Sequence, residues 1–217
     1  MRLLDENLSG KSNRVLDVGC GTGTMVIHLR RYGCTFGVDV DHEAAGYCQE
    51  RGIDTVVQAV AGHLPYADGA FDLVTMLDVL EHIPDDHAAL TEVARVVKPG
   101  GLVAIAVPAF RFLWGAQDEV SEHQRRYTAR QLRAVVETTG LSVKRLTYFN
   151  TALFPPIALV RLARRVLPRP KTVQSDFNVP APGPMNASLA AVFGLESALV
   201  ARTNLPFGVS ILCLAEK

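Results

Sequence analysis

No charge of one sign dominates this sequence. Its 22 Lys and Arg balance 22 Asp and Glu for a formal net charge of +0, so no general field draws it to nucleic acid, and no nucleic-acid partner is expected. Cysteine is scarce: Cys20, Cys34, Cys48 and Cys213 contain no C-x-x-C pair. The start, Met-Arg-Leu-Leu-Asp-Glu, lacks the apolar stretch of a signal peptide. A reduced, cytoplasmic setting is the expectation. Long hydrophobic runs are missing too. The longest, Thr151 to Val160, holds two prolines and stops at Arg161, short of the ~20 apolar residues that a spanning helix needs. There is no G-x-x-x-x-G-K-[ST], and glycines at 19, 21 and 23 followed by Thr24 break the G-x-G-x-x-G spacing. Nucleotide triphosphate held by a P-loop and NAD are both disfavoured. No metal site is expected.

What is present is the material of a folded domain. Hydrophobic residues make up 48% and charged residues 20% of 217 positions, a length for one domain. From residue 14 to about 150, apolar runs alternate with amphipathic segments, the pattern of an α/β fold with helices on both faces of a parallel sheet. Strands are predicted at 14–18, 34–38, 54–58, 71–77, 102–107 and 141–149, with a seventh at 209–215. A helix follows the first strand through Tyr32, which Gly33 ends, and another spans about 42–51. Asp85 or Asp86 caps a third, whose Leu90, Val93, Ala94 and Val97 form one apolar stripe before Pro99-Gly100-Gly101 stops it. Thr128 to Gln131 has capping-box spacing ahead of Leu132, Val135 and Val136. Between 150 and 204 two apolar helical segments flank a Pro-rich stretch (Pro168, Pro170, Pro180, Pro182, Pro184). This segment reads as an insertion, a lid or a substrate-binding element, within a single domain covering 1–217.

The first strand, Val15-Leu16-Asp17-Val18, runs into Gly19-Cys20-Gly21-Thr22-Gly23 and a helix N-terminus. Glycine suits a sharp turn that a ligand must approach closely, so a nucleotide-like ligand is implied. Asp39, twenty residues after Gly19 at the end of the second strand, is placed to accept from two ribose hydroxyls. These residues resemble the class I S-adenosylmethionine-dependent methyltransferases. VLDVGCGTG (15–23) is similar to that family's first motif and VDVD (38–41) to its acidic loop. LPYADGAFDLVTMLDVLEHIPDD (64–86) and VVKPGGLVAIAVP (96–108) are similar to its later ones.

The resemblance implies a Rossmann-like, seven-stranded, mostly parallel sheet with an antiparallel last strand. It also implies S-adenosylmethionine as cofactor, with S-adenosylhomocysteine as product. Carried over, Asp17, Gly19, Cys20, Gly21 and Gly23 surround the methionine part, Asp39 and Val40 the ribose, and Asp78 lies beside the cofactor. Where the family has an acid for adenine, this chain has Val60. Adenine then depends on Gln58 or on the backbone of Val60 and Ala61. The covering helix before the first strand is expected to be short or absent.

On the acceptor side, 112–128 follows the fifth strand and is dense in titratable groups. His123 and His82 are the candidate general bases. Arg125 and Arg126 suit an anionic substrate group, or else pair with Asp118, Glu119 or Glu122. Trp114 and Tyr127 line a substrate pocket or pack in the core. Arg161, Arg164 and Arg165 share one helical face opposite Leu159, Leu162 and Val166, so residues 152–167 are either a peripheral membrane contact or a lid with a solvated face. The expected activity is methyl transfer to a small-molecule or lipid-linked metabolite. The alternatives are a rearrangement or cyclisation that uses the sulfonium charge, and a non-catalytic partner subunit.

Overall fold

In a computed structural model, which describes residues 2–8, 12–166 and 183–217, the alternation of strand and helix closes into one sheet. Its strands are β1 (Asn13–Val18), β2 (Gly33–Asp39), β3 (Val56–Gln58), β4 (Phe71–Leu77), β5 (Val97–Pro108), β6 (Ser142–Phe149) and β7 (Ser210–Glu216). Their order is β3-β2-β1-β4-β5-β7-β6. Pairs among β1 to β5 are parallel, and β7 runs antiparallel to both β5 and β6. The helices are α1 (Arg2–Asn7), α2 (Thr24–Leu29), α3 (His42–Glu50), α4 (Asp86–Val96), α5 (Ala116–Val120), α6 (Ala129–Glu137), α7 (Phe154–Val166) and α8 (Gly183–Arg202).

Successive strand residues point to opposite faces, so adjacent apolar residues feed two cores. Leu16, Val74, Val103 and Cys213 are buried with Leu90 and Val93 of α4 and Leu132 and Val136 of α6. Their neighbours Val15, Leu73, Leu102 and Leu214 are buried with Leu3 and Leu4 of α1 and Leu29 of α2. A third cluster, Val26, Cys48, Ile53 and Val56, seats α3. Helix ends follow their caps: Asp85 accepts from Ala88 N at 2.9 Å at the start of α4, and Thr128 and Gln131 form a reciprocal box at α6.

Most strand boundaries lie within a residue of the sequence expectation, and a few elements differ by more. β5 begins at Val97 rather than 102, because Val97 pairs with Phe71 before a bulge of the chain brings Leu102 opposite Leu73. Pro99-Gly100-Gly101 is therefore an irregularity within a strand, tied to the chain end by Gly100 N to Lys217 O at 2.9 Å. β3 begins at Val56 rather than 54. α2 stops at Leu29, and Tyr32 turns back onto it through Tyr32 N to Leu29 O at 2.9 Å. The expected short first helix is α1, which packs on a sheet face and against α8. Pro184, expected in a loop, falls in the first turn of α8, where a missing N–H costs nothing. Pro168, Pro170, Pro180 and Pro182 lie outside the described residues.

The chain winds outward from β1 toward β3 and from β4 toward β5, so β1 and β4 are neighbours at the point where the winding reverses. Ligands in open α/β sheets bind beyond the carboxyl ends of the strands at that point.

Candidate active site

The turn after β1 is anchored to β2: Gly19 N and Cys20 N donate to Val38 O at 2.8 and 3.0 Å. Its glycines have separate tasks. Gly19, at φ +71°, lies against Val79, whose methyl a Cβ would strike. Gly21, at φ +49°, has open space where a Cβ would stand, a cradle that only the bare backbone leaves free. Asp39 ties the cradle together, accepting from Gly21 N at 2.7 Å and from Asp41 N at 3.0 Å. Asp17 is 3% exposed and takes a hydrogen bond of 2.6 Å from the Thr75 hydroxyl. Burial pushes its carboxyl up to about 6, against the Thr75 bond and with the charge of Asp39. A buried carboxylate with one hydroxyl donor suits an ammonium group.

Beyond β2 and β3 the surface is apolar and open. Val40 is 65% and Val60 53% exposed, Ala61 is half-buried, and Gln58 Nε2 donates to Val40 O at 3.0 Å. That bond leaves Gln58 Oε1 as the side-chain acceptor available there. The residues fit S-adenosylmethionine: Asp17 for its ammonium, the Gly21 cradle, Asp39 for its ribose, and Val40 and Val60 as flat apolar walls.

A second group of polar side chains gathers beyond β4 and β5. Asp78, at φ +55°, follows β4 directly, a conformation found at strained functional positions. Glu81 is 0% exposed, and Gln124 N donates 2.8 Å to its backbone oxygen, drawing the 118–127 loop across. His123 donates or accepts through Nδ1 at 2.9 Å from Asp118 Oδ1, and its Nε2 stands 4.0 Å from Glu81 Oε1. The rings of His82 and His123 meet edge to face with centroids 4.7 Å apart.

Burial pushes Glu81 up to about 8, with the charges of Asp78 and Asp118 adding and that of Arg126 opposing. It also raises Asp78, against His123. Burial holds His82 below the usual imidazole range, and His123 adds to this. For Asp118, the upward push of burial is outweighed by Arg126, Gly115 N–H and His123, which keep it below the ordinary aspartate range.

Arg126 and Tyr127 take the alternatives the sequence left open, a pairing with Asp118 and a place in the core, while Arg125 pairs with Asp86 rather than with Asp118, Glu119 or Glu122. Arg126 grips Asp118 with Nε at 2.6 Å and Nη2 at 3.1 Å, and Ala109 O with Nη1 at 3.0 Å. Arg125 reaches Asp86 Oδ2 at 2.8 Å and Pro84 O at 2.5 Å. Both guanidinium groups fix the loop instead of offering a free fork. Tyr127 is core, 4% exposed, with its hydroxyl donating to Asp86 at 2.8 Å. Trp114 is half-buried. Arg161 corrects the solvated-face expectation for α7: it points inward against Gly115, while Leu159 and Leu162 are exposed. The side chains of Arg164, Arg165 and Val166 lie outside the described residues.

Sequence reasoning named Asp118 only as one of three possible partners for Arg125 and Arg126, and did not bring Glu81 together with His123. It also passed over an aromatic box in which Phe110, at φ +53°, stacks on Tyr148 at 5.0 Å and meets Phe112 and Phe154. Phe207 closes the box on Phe154. The signal for it was the aromatic density of Phe110-Arg-Phe-Leu-Trp114 immediately after a buried strand.

Known proteins place this arrangement. A methyltransferase domain family matches residues 16–105. Methyltransferase GfsG of Streptomyces halstedii is 36% identical over 62% of this chain and 55% of its own length. Norajmaline N-methyltransferase of Rauvolfia serpentina is 30% identical over 65% and 53%. A ubiquinone biosynthesis O-methyltransferase of Pectobacterium atrosepticum is 38% identical over 45% and 43%. The chain thus spans about half the length of these curated relatives. Among solved structures, an S-adenosylmethionine-dependent methyltransferase from Mesorhizobium loti superposes with TM-score 0.65 at 15% identity, over 99% of this chain and 95% of that one. The [4+2]-cyclase SpnF superposes with TM-score 0.62 at 24% identity, over 99% and 79%. These two likenesses concern the fold. The methyltransferase domain matched over residues 16–105 lies on the very strands that carry the Gly21 cradle, and the relatives this chain resembles are methyltransferases, so S-adenosylmethionine is the cofactor that both the likeness and the residues of the cradle point to.

Proposed function

We propose that this chain transfers a methyl group to a small-molecule or lipid-linked acceptor that enters between the Gly21 cradle and the Asp78–Glu81–His82–His123 group. The observation that carries the reading is the gathering of those four side chains, Asp78, Glu81 and His82 from beyond β4, the strand next to the one bearing Asp17, and His123 from the loop beyond β5. Bound S-adenosylmethionine supplies a methyl group already activated by positive sulfur. The protein's work is then alignment and exclusion of water. Asp17 and Asp39 orient the donor side, and the aromatic box around Phe110 walls the acceptor side. His123, steadied through Nδ1 by Asp118, and His82 are the groups that take a proton from a hydroxyl or amine acceptor. The helices between β6 and β7 serve as the lid over this space.

Isothermal titration of S-adenosylmethionine and S-adenosylhomocysteine into the purified chain tests the first step. Micromolar binding that Asp39→Ala abolishes is expected, and no binding to the unaltered chain overturns the reading. With a substrate in hand, turnover must release S-adenosylhomocysteine. Turnover without it replaces methyl transfer by a rearrangement or cyclisation.

A further inference from the structure

Glu81 presents a problem that the methyl-transfer reading does not resolve. Its side chain is 0% exposed, yet among the described residues neither carboxylate oxygen has a hydrogen-bond partner. Buried carboxylates without partners are costly, and native structures rarely keep one without an ion, a water or a function to complete it. Cationic help is thin: His123 Nε2 stands at 4.0 Å, beyond hydrogen-bond length, and the nearby Arg126 is already spent on Asp118. Asp78 adds a second negative group at close range.

We propose that Glu81, His82 and His123 form a binding site for a divalent transition-metal cation. One ligand atom from each lies within 4.8 Å of the others. Bonds of about 2.1 Å at tetrahedral angles put ligand atoms roughly 3.4 Å apart, so small side-chain rotations close the set onto an ion. Both imidazoles are already prepared for that role. His123 Nδ1 is held by Asp118 at 2.9 Å, which turns Nε2 toward Glu81. A ring nitrogen of His82 is held by the Ser121 carbonyl. Histidine ligands are oriented in this way, one nitrogen on a carboxylate or carbonyl and the other on the metal. Two nitrogens and one carboxylate favour zinc, cobalt or manganese over magnesium or calcium, which prefer all-oxygen sites. Three protein ligands leave open positions, which is the arrangement of a working site rather than a structural one.

The site keeps the methyl transfer proposed above, on which its role rests, and replaces the base role given there to the two imidazoles. A cation at this point binds the acceptor through an oxygen or nitrogen lone pair and lowers the pKa of a hydroxyl it holds. The acceptor's proton is then released to solvent or to Asp78, and the imidazoles act as ligands instead of bases. The acceptor class selected is one with a hydroxyl beside the methylated atom or at it.

The test uses the metal alone. Chelator-stripped protein is titrated with Co2+, whose visible absorption reports imidazole ligation and coordination number. One equivalent with a four- or five-coordinate spectrum, displaced by Zn2+ and not by Mg2+, is expected. His82→Gln, at an exposed position, and Glu81→Gln, which keeps the side chain's shape but cannot become an anionic ligand, should each weaken binding by about tenfold or more. S-adenosylhomocysteine titration of the same variants confirms that each is folded, and it separates failure of the metal site from failure of the cofactor reading. A folded protein that develops no Co2+ spectrum overturns the site. So does a spectrum that persists unchanged in both variants, since the ion is then held elsewhere.

Discussion

Asp17, which we propose meets the cofactor's ammonium, is a buried carboxylate that costs the ligand-free fold stability. Its folded-state pKa of about 6 lies above the 3.8 of an exposed aspartate. The ligand-free fold therefore carries the full cost of a buried carboxylate above about pH 6 and sheds it as the pH falls toward the unfolded value. A shift of this size corresponds to on the order of 3 kcal/mol. Asp17→Asn is accordingly expected to raise the melting temperature of the ligand-free chain at about pH 8 and to weaken S-adenosylmethionine binding, both read on the same preparation. In the unaltered chain, affinity should fall as the pH drops below about 6, because the protonated carboxyl no longer attracts an ammonium. An affinity flat from about pH 8 to about pH 5 would remove Asp17 from the cofactor's partners.

Among the elements, α6 was the most legible from sequence and β5 the least. Thr128, Gln131, Leu132 and Val136 carry a cap and an apolar stripe within nine residues of one another, so local chemistry determines α6. Thr128→Ala should cost about 1 kcal/mol in denaturant unfolding. Because α6 packs on α4 and β6 rather than at the glycine cradle, S-adenosylhomocysteine affinity should not change. The start of β5 had no such local signature. Pro99-Gly100-Gly101 looks like a turn in isolation, and only pairing with Phe71 and the bond to Lys217 make it part of the sheet. α7 was legible as a helix from its periodicity, whereas the inward turn of Arg161 depended on the space left by Gly115.

At the scale of the whole molecule, Asp118 is the knot of the loop beyond β5. Fully buried, it accepts from Gly115 N at 2.8 Å and twice from Arg126, and it faces His123 at 2.9 Å, so one carboxylate joins three parts of the loop beyond β5. Asp118→Asn leaves Arg126 buried without its counter-ion and is expected to cost about 3 kcal/mol, measured by denaturant unfolding. A loss below about 0.5 kcal/mol would show that the loop is held elsewhere, by Arg125 on Asp86 or by Tyr127 in the core. In the helices between β6 and β7, Leu159 of α7 and Leu195 and Leu199 of α8 are exposed. No described helix is long and apolar enough to cross a membrane. What the sequence by itself determined were features written within a few residues: the glycine turn after a buried strand, Asp39 at its fixed distance, the caps, and the strand and helix periods. Tertiary structure alone decided that Glu81 from the end of β4 meets His123 from the loop beyond β5, and that Arg126 turns to Asp118 instead of to a ligand. The first contact joins segments about forty residues apart and the second residues eight apart on one loop, and neither spacing nor composition records which buried charge a side chain will be folded against.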